Sequence, residues 1–155
     1  MKRILTLILI SGIILLNSCA PSSLKVTKAY HPTRDIKFDY KIIPKDEVPD
    51  KALAIMGERL KAQLADSLHL DGDTNPYQRI EIVITSYYMR HGAARALVGI
   101  MAGIDHIVST VKVIDPYTGE SVAEFDIESK NPSAWGSSSG LIEDHIDQIV
   151  KYLKN

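Results

Sequence analysis

The sequence predicts an α+β domain, a mainly antiparallel sheet of about four strands with two helices packed on one face. Four short stretches alternate apolar and polar residues, as half-buried strands do. Two longer stretches carry apolar residues at helical spacing. The order β-α-β-β-β-α favours helices lying together against one face of such a sheet.

The composition fits one folded domain and excludes several classes of function. The chain has 155 residues, of which 45% are hydrophobic and 24% charged, which is close to the globular average. A formal charge of −1 gives no reason to expect nucleic acid as a partner. The single cysteine excludes an intrachain disulfide framework and a cysteine-based zinc site.

The first predicted elements lie before residue 70. A short strand is expected at 24–30, and strict alternation predicts a strand over 36–42. Asp50 is expected to cap a helix that runs to about Ser67. Gly57 within this helix suggests that another group approaches closely there. The core face of the helix is predicted to consist of Leu53, Met56, Leu60 and Leu64.

The remaining elements follow at regular intervals. Residues 78–88 form the strongest strand pattern, followed by strands over 106–115 and 121–129. The segment 115–119 reads Asp-Pro-Tyr-Thr-Gly, which is typical of a bulged hairpin turn, so the last two strands should be antiparallel. An apolar stripe over 141–153 predicts the final helix.

The amino terminus resembles the signal peptide of a bacterial lipoprotein. Lys2 and Arg3 precede a thirteen-residue apolar run at 4–16, which is short for a membrane span. The sequence Leu-Asn-Ser-Cys at 16–19 then resembles a lipobox. This resemblance implies cleavage before Cys19 and acylation of that cysteine. An ordinary signal peptide, with Cys19 as an incidental core residue, is the alternative.

The predicted organisation is a signal peptide at 1–18, a lipidated cysteine and tether at 19–35, and a single domain at 36–155. The mature chain would carry 16 basic and 19 acidic side chains, a formal charge of −3. That charge offers little attraction to anionic lipid, so the acyl chains must provide the anchor. Ala20, rather than Asp, follows the cysteine, a pattern that resembles lipoproteins sent to the outer membrane with their domain facing the periplasm.

The most unusual segment is the apolar stretch at 92–104, because a connection between strands is ordinarily polar. It could be a buried element of the core, an exposed element that docks on a partner or on copies of itself, or a segment inserted shallowly in the membrane. Trp135, in a Ser/Gly-rich loop, could cover the core or contact a partner. The candidate interaction residues are therefore Arg90, Arg95, Leu97, Val98, Ile100, Met101 and Trp135.

The sequence gives little evidence of catalytic or cofactor-binding motifs. The sequence has no Gly-x-Ser-x-Gly elbow, no HExxH motif and no GxxxxGK phosphate loop. The acidic turn at 71–76 lacks the ligand spacing of a calcium loop. His145 lies near the apolar stripe of the last helix and is expected to be a partly buried structural residue. We therefore expect no enzyme activity, no cofactor and no metal site.

A further resemblance rests on three features. A strand at 80–86 is followed by the Arg/Gly/Ala-rich apolar segment at 90–103, and then by Val-x-Val-x-Asp-x-x-Thr-Gly-Glu at 111–120, leading into another strand. This arrangement resembles uncharacterised families of bacterial outer-membrane lipoproteins. It is also similar to the small α/β domains of the curli-secretion channel lipoprotein and the Tol-system periplasmic protein.

That resemblance implies a non-enzymatic envelope component that assembles with itself or with other envelope proteins. The expected function is thus a lipid-anchored interaction or assembly module. The alternative is a periplasmic binding protein for a small or lipidic ligand, in which the 92–104 segment closes an apolar pocket. The expected partners are the membrane, through acylated Cys19, and further copies of the chain or an envelope protein.

Overall fold

Two strands, a helix, three strands and a final helix follow one another along the chain, much as the periodicity predicts. The computed structural model describes residues 22–32, 36–70, 76–90, 103–132 and 137–155. In these ranges the elements are β1 (Ser22–Lys28), β2 (Lys37–Pro44), α1 (Asp50–Gln63), a 3-10 turn (Ala65–Ser67), β3 (Tyr77–Tyr88), β4 (Asp105–Ile114), β5 (Ser121–Asn131) and α2 (Ser138–Lys154).

The described strands form one mixed sheet in the order β1-β5-β4-β3-β2. The α+β class is confirmed, but the sheet has five strands rather than about four, and β2 runs parallel to β3. The parallel pair follows from connectivity, because α1 joins β2 to β3 and a helical crossover returns the chain in the same direction. The other neighbouring pairs are antiparallel.

The edge strand β1 overlaps the short strand expected at 24–30, and it lies inside the 19–35 range that the sequence assigns to a tether. It pairs antiparallel with β5, with Ser22 opposite Ser129 and Leu24 opposite Ile127. Every residue of β1 is exposed. A strand exposed on both faces need not alternate apolar and polar residues, because that alternation arises from the burial of one face. The sequence signal for β1 is therefore weak. The sheet therefore begins before residue 36.

One hydrophobic core fills the space between the helices and one face of the sheet. The alternate residues of the central strands point into it, as the period of two requires. The α1 face that the sequence predicts is only partly correct, since Leu53 packs at the margin. The largest fully buried side chains are Met56, Leu60, Leu64, Ile80, Ile82, Ile84, Ile107, Phe125, Ile127, Ile146, Ile149 and Leu153.

Polar contacts fix the two helices against each other. Arg59 on α1 donates two hydrogen bonds to Asp147 on α2, from Nε at 2.6 Å and from a terminal nitrogen at 2.5 Å. The Gln63 amide adds a third bond to Asp147, at 3.1 Å. A bidentate arginine–carboxylate pair is directional as well as attractive, so these bonds set the position of one helix along the other.

The turn between β4 and β5 has the chemistry that the sequence predicts, and a serine caps α2. Asp115 Oδ1 accepts hydrogen bonds from the backbone N–H groups of Tyr117 and Thr118, and Gly119 has φ of +73°. Ser137 caps α2, accepting a bond from Gly140 N at 3.0 Å.

Two expectations about α1 are wrong. Asp50 does not cap α1, because Pro49 occupies the cap position and no side chain bonds there. The α-helix ends at Gln63, and a 3-10 turn continues to Ser67.

Candidate functional site

A buried ion pair closes one end of the sheet. Arg90 follows β3, and its Nε lies 2.9 Å from Oδ1 of Asp105, the first residue of β4. The same oxygen accepts the backbone N–H of Arg90 at 2.8 Å. A terminal nitrogen of Arg90 also donates to the carbonyl of Asn131, the last residue of β5, at 3.2 Å. Both ionised side chains are fully buried. We call this part of the molecule the Arg90 end.

Such a pair holds three strand termini in fixed positions. Removing one member of a buried ion pair leaves an uncompensated charge and typically costs about 3–5 kcal/mol of folding free energy. The sequence suggests Arg90 as part of a contact surface. The exposed fraction of Arg90 is 3%, so its side chain cannot contribute to such a surface. Arg90 instead holds the ends of β4 and β5 in place through its bonds to Asp105 and Asn131.

Both candidate contact segments are attached at the Arg90 end. The 91–102 segment leaves after Arg90 and returns just before Asp105, which pairs with Asn131 across the sheet. The loop that contains Trp135 leaves just after Asn131 and returns at Ser137, the cap of α2. The ion pair therefore joins the described residues on both sides of the 91–102 segment, and its bond to Asn131 reaches the residue just before the loop that contains Trp135.

The other predicted site residues lie outside the described residues. They are Cys19, Arg95, Leu97, Val98, Ile100, Met101 and Trp135. Cys19 nevertheless stands only three residues before Ser22, and Ser22 pairs with Ser129, two residues from the Arg90 end. The chain that leads to the predicted lipid anchor thus enters the fold near the same end.

A groove lies beside the ion pair, between the amino-terminal turns of α1 and α2 and the end of β3. It encloses about 480 Å³. Asp46 fixes its rim, because this carboxylate accepts the backbone N–H of Tyr87 at 2.8 Å. That bond and a second one from Glu47 lower the pKa of Asp46 below its usual value. The lining includes Lys51, Ala52, Ile55, Met89, Ser139 and Ile142.

A second polar cluster, which the sequence analysis missed, lies inside the core. His145 Nε2 hydrogen-bonds with Ser109 Oγ and His145 Nδ1 with Ser129 Oγ, both at 2.9 Å. Ser129 Oγ also lies 3.0 Å from Ser22 Oγ on β1. A signal was available, since Ser109 and Ser129 interrupt rows of core-facing apolar residues while a histidine occupies the facing helix.

The cluster is not a catalytic pair. Ser109, Ser129 and His145 each have an exposed fraction of 0%, so no substrate reaches the hydroxyls. Burial lowers the pKa of His145 to about 4, which keeps the imidazole neutral and lets it donate one hydrogen bond and accept another. The cluster instead ties β4, β5 and α2 together. His145 is thus a structural residue, as expected, but it is fully rather than partly buried.

The described residues show neither a cluster of metal ligands nor a membrane-spanning helix. No group of three or more His, Cys, Asp or Glu side chains in the described ranges is placed to hold a metal ion. No helix among the described residues has both the length and the apolar character needed to cross a membrane.

Comparison with known proteins places the chain in a family. Residues 39–135, well over half of the chain, match the family described as Domain of unknown function (DUF4410). The chain belongs to this family. No curated protein matches it.

Solved structures share the fold at low sequence identity. The PelC dodecamer from Paraburkholderia phytofirmans, matched in two crystal forms, has 15% identity and a TM-score of 0.58. That match covers 86% of this chain and 97% of PelC. A PDZ domain protein from Parabacteroides distasonis has 11% identity and a TM-score of 0.50. The match covers 88% of this chain but 36% of that protein. These similarities establish the architecture alone.

Proposed function

We propose that this protein is a lipid-anchored assembly module of the bacterial outer membrane, without catalytic activity, whose domain faces the periplasm. One observation carries the proposal. The two segments predicted to contact partners and the strand that follows the predicted lipid anchor all join the fold at or near the Arg90 end. A buried ion pair at this junction gives the contact surface a rigid base, as precise recognition requires.

The shared architecture supports self-association as the form of assembly. PelC crystallised as a dodecamer, and this chain matches nearly the whole length of the PelC subunit. Copies anchored in one membrane are held at a common height, which raises their effective concentration for side-by-side contact. A second copy of the chain is therefore the proposed partner, with another envelope protein as the alternative.

The test is the mass of the native complex, extracted in mild detergent after crosslinking in its own cells. We expect a defined oligomer for the wild type. The double variant Leu97→Asp with Ile100→Asp should be folded and monomeric, because charges oppose burial of an apolar contact surface. Tyr117→Asp, at the exposed opposite end of the sheet, is the matched control and should assemble normally.

Two outcomes would contradict the proposal. A monomeric wild-type protein in the native extract would contradict assembly. Loss of folded protein in the Leu97 and Ile100 variant would identify the 92–104 segment as part of the core.

The second candidate is a binding protein for a small or lipidic ligand, and the groove at the Arg90 end favours it. A volume of about 480 Å³ falls within the range of small-molecule sites. Its lining combines apolar side chains with Lys51, which suits a ligand with an apolar body and an anionic group. Native mass spectrometry of the purified protein distinguishes the two functions, since a retained molecule on a monomer supports binding.

A further inference from the structure

The position of β1 limits how the domain can sit on a membrane. Three residue steps separate Cys19 from Ser22, and an extended chain covers at most about 10 Å over that distance. Ser22 pairs with Ser129, two residues from the Arg90 end. If Cys19 carries the lipid anchor, this end of the sheet must therefore stay close to the lipid headgroups.

The opposite end of the sheet lies well beyond that reach. From Asp105 to Ile114, β4 extends about 30 Å at the usual rise per residue. Tyr117, in the turn after β4, is the most exposed large hydrophobic residue among those described, at 73%. When the strands are perpendicular to the membrane surface, a three-residue tether at the Arg90 end therefore keeps this turn away from the bilayer.

The rim of the Arg90 end has side chains suited to a lipid–water interface. Ile104, just before β4, and Tyr88, at the end of β3, are 43% and 44% exposed. Tyr88 packs across the sheet beside His106, with ring centroids 6.0 Å apart. Tyrosine has an apolar ring and a polar hydroxyl, and therefore favours the headgroup region.

The charged side chains beside Tyr88 and Ile104 are paired, and the exposed carboxylate of Asp46 at the same end stays on the aqueous side of the proposed contact. Lys130, which pairs with His106 across the sheet, is exposed and lies 2.8 Å from Glu128. The Arg90–Asp105 pair is already buried and carries no net charge. Contact with the interface would thus require no unpaired carboxylate at these positions to lose its water.

We propose that the Arg90 end is the membrane-facing surface of the lipidated protein, with Tyr88 and Ile104 in contact with the lipid interface. This inference rests on the proposed lipidation of Cys19. The turn at Asp115–Gly119 then points away from the bilayer. The strands are roughly perpendicular to the membrane surface and lie outside it.

The test uses single-tryptophan variants of the full lipidated protein in a Trp135→Phe background. Tyr88→Trp and Ile104→Trp place the fluorophore at the Arg90 end, and Tyr117→Trp is the matched control at the opposite end. Each variant is reconstituted into vesicles of phosphatidylethanolamine and phosphatidylglycerol, with and without brominated acyl chains. We expect bromine to quench Tyr88→Trp and Ile104→Trp severalfold more strongly than Tyr117→Trp, with a blue shift of their emission.

Flotation of the same vesicles separates the two proposals. Protein that does not float with the vesicles contradicts lipid anchoring, and this inference with it. Protein that floats without quenching at positions 88 and 104 overturns the orientation alone. Equal quenching at all three positions also overturns it, because the domain would then lie flat. Two variants at the Arg90 end keep the test decisive if one of them does not fold.

Discussion

At the scale of single residues, the buried imidazole of His145 makes folding sensitive to acid. The unfolded chain takes up a proton at this residue below about pH 6.5, whereas burial lowers the pKa in the folded protein to about 4. Stability from this group is therefore complete above pH 6.5 and declines as the pH falls towards 4. The total loss is about 3 kcal/mol, because each unit of pKa shift corresponds to about 1.4 kcal/mol.

The prediction compares urea denaturation at about pH 7 and pH 5. His145→Gln should be less stable than the wild type at pH 7, since it loses hydrogen bonds to Ser109 or Ser129. On acidification, however, it should lose about 2 kcal/mol less than the wild type. His31→Gln, at an exposed position, is the control and should respond as the wild type does. An unchanged acid response in His145→Gln would show that the sensitivity arises elsewhere.

At the scale of elements, two glycines predict opposite effects of the same substitution. Gly57 lies within α1, where the Tyr40 hydroxyl approaches it and donates a hydrogen bond to its carbonyl at 3.4 Å. No atom outside the local helix lies within 4 Å of the position that a Cβ would occupy, so a methyl group has room there. Gly119 has φ of +73° in the β4–β5 turn, where a Cβ is strained.

We expect Gly57→Ala to raise the free energy of unfolding by about 0.5–1 kcal/mol, because alanine is the better helix former. Gly119→Ala should lower it by about 1–2 kcal/mol, since an L-residue resists the left-handed conformation. Thermal and urea unfolding measure both changes. A loss of stability in Gly57→Ala would mean that α1 requires a glycine for a reason other than space.

Sequence periodicity predicts the elements with one buried face well, including the edge strand β2, and the fully exposed edge strand β1 less precisely. The strands β3, β4 and β5 and the helix α2 are close to their predicted ranges, because each must bury one face. The exposed strand β1 has no such constraint. For the candidate site, the sequence assigns Arg90 to the surface, because its buried partner Asp105 is fifteen residues away and is found only through the fold.

At the scale of the whole molecule, the two ends of the sheet have different structural roles. The Arg90 end gathers the buried ion pair, the groove and the attachments of both candidate segments. The opposite end is closed by the tight turn at Asp115–Gly119. An anchor near one end of a rigid domain would hold every copy in the same orientation, which suits assembly in a membrane plane.

The last prediction concerns Cys19→Ser in a chain whose residues 1–18 are replaced by the cleavable signal peptide of a soluble periplasmic protein, so that the proposed acylation site and the apolar run at 4–16 are both removed. Among the described residues, the hydrophobic core begins at Tyr30, eleven residues after Cys19, so the variant should keep the wild-type unfolding midpoint. It should appear in the soluble fraction, and it should need a higher protein concentration to oligomerise, because confinement to a surface no longer concentrates it. Sedimentation of the variant and vesicle crosslinking of the wild type measure the difference. Retention of Cys19→Ser in the membrane fraction would contradict anchoring through this cysteine, and assembly at equal concentrations would show that the anchor plays no part in association.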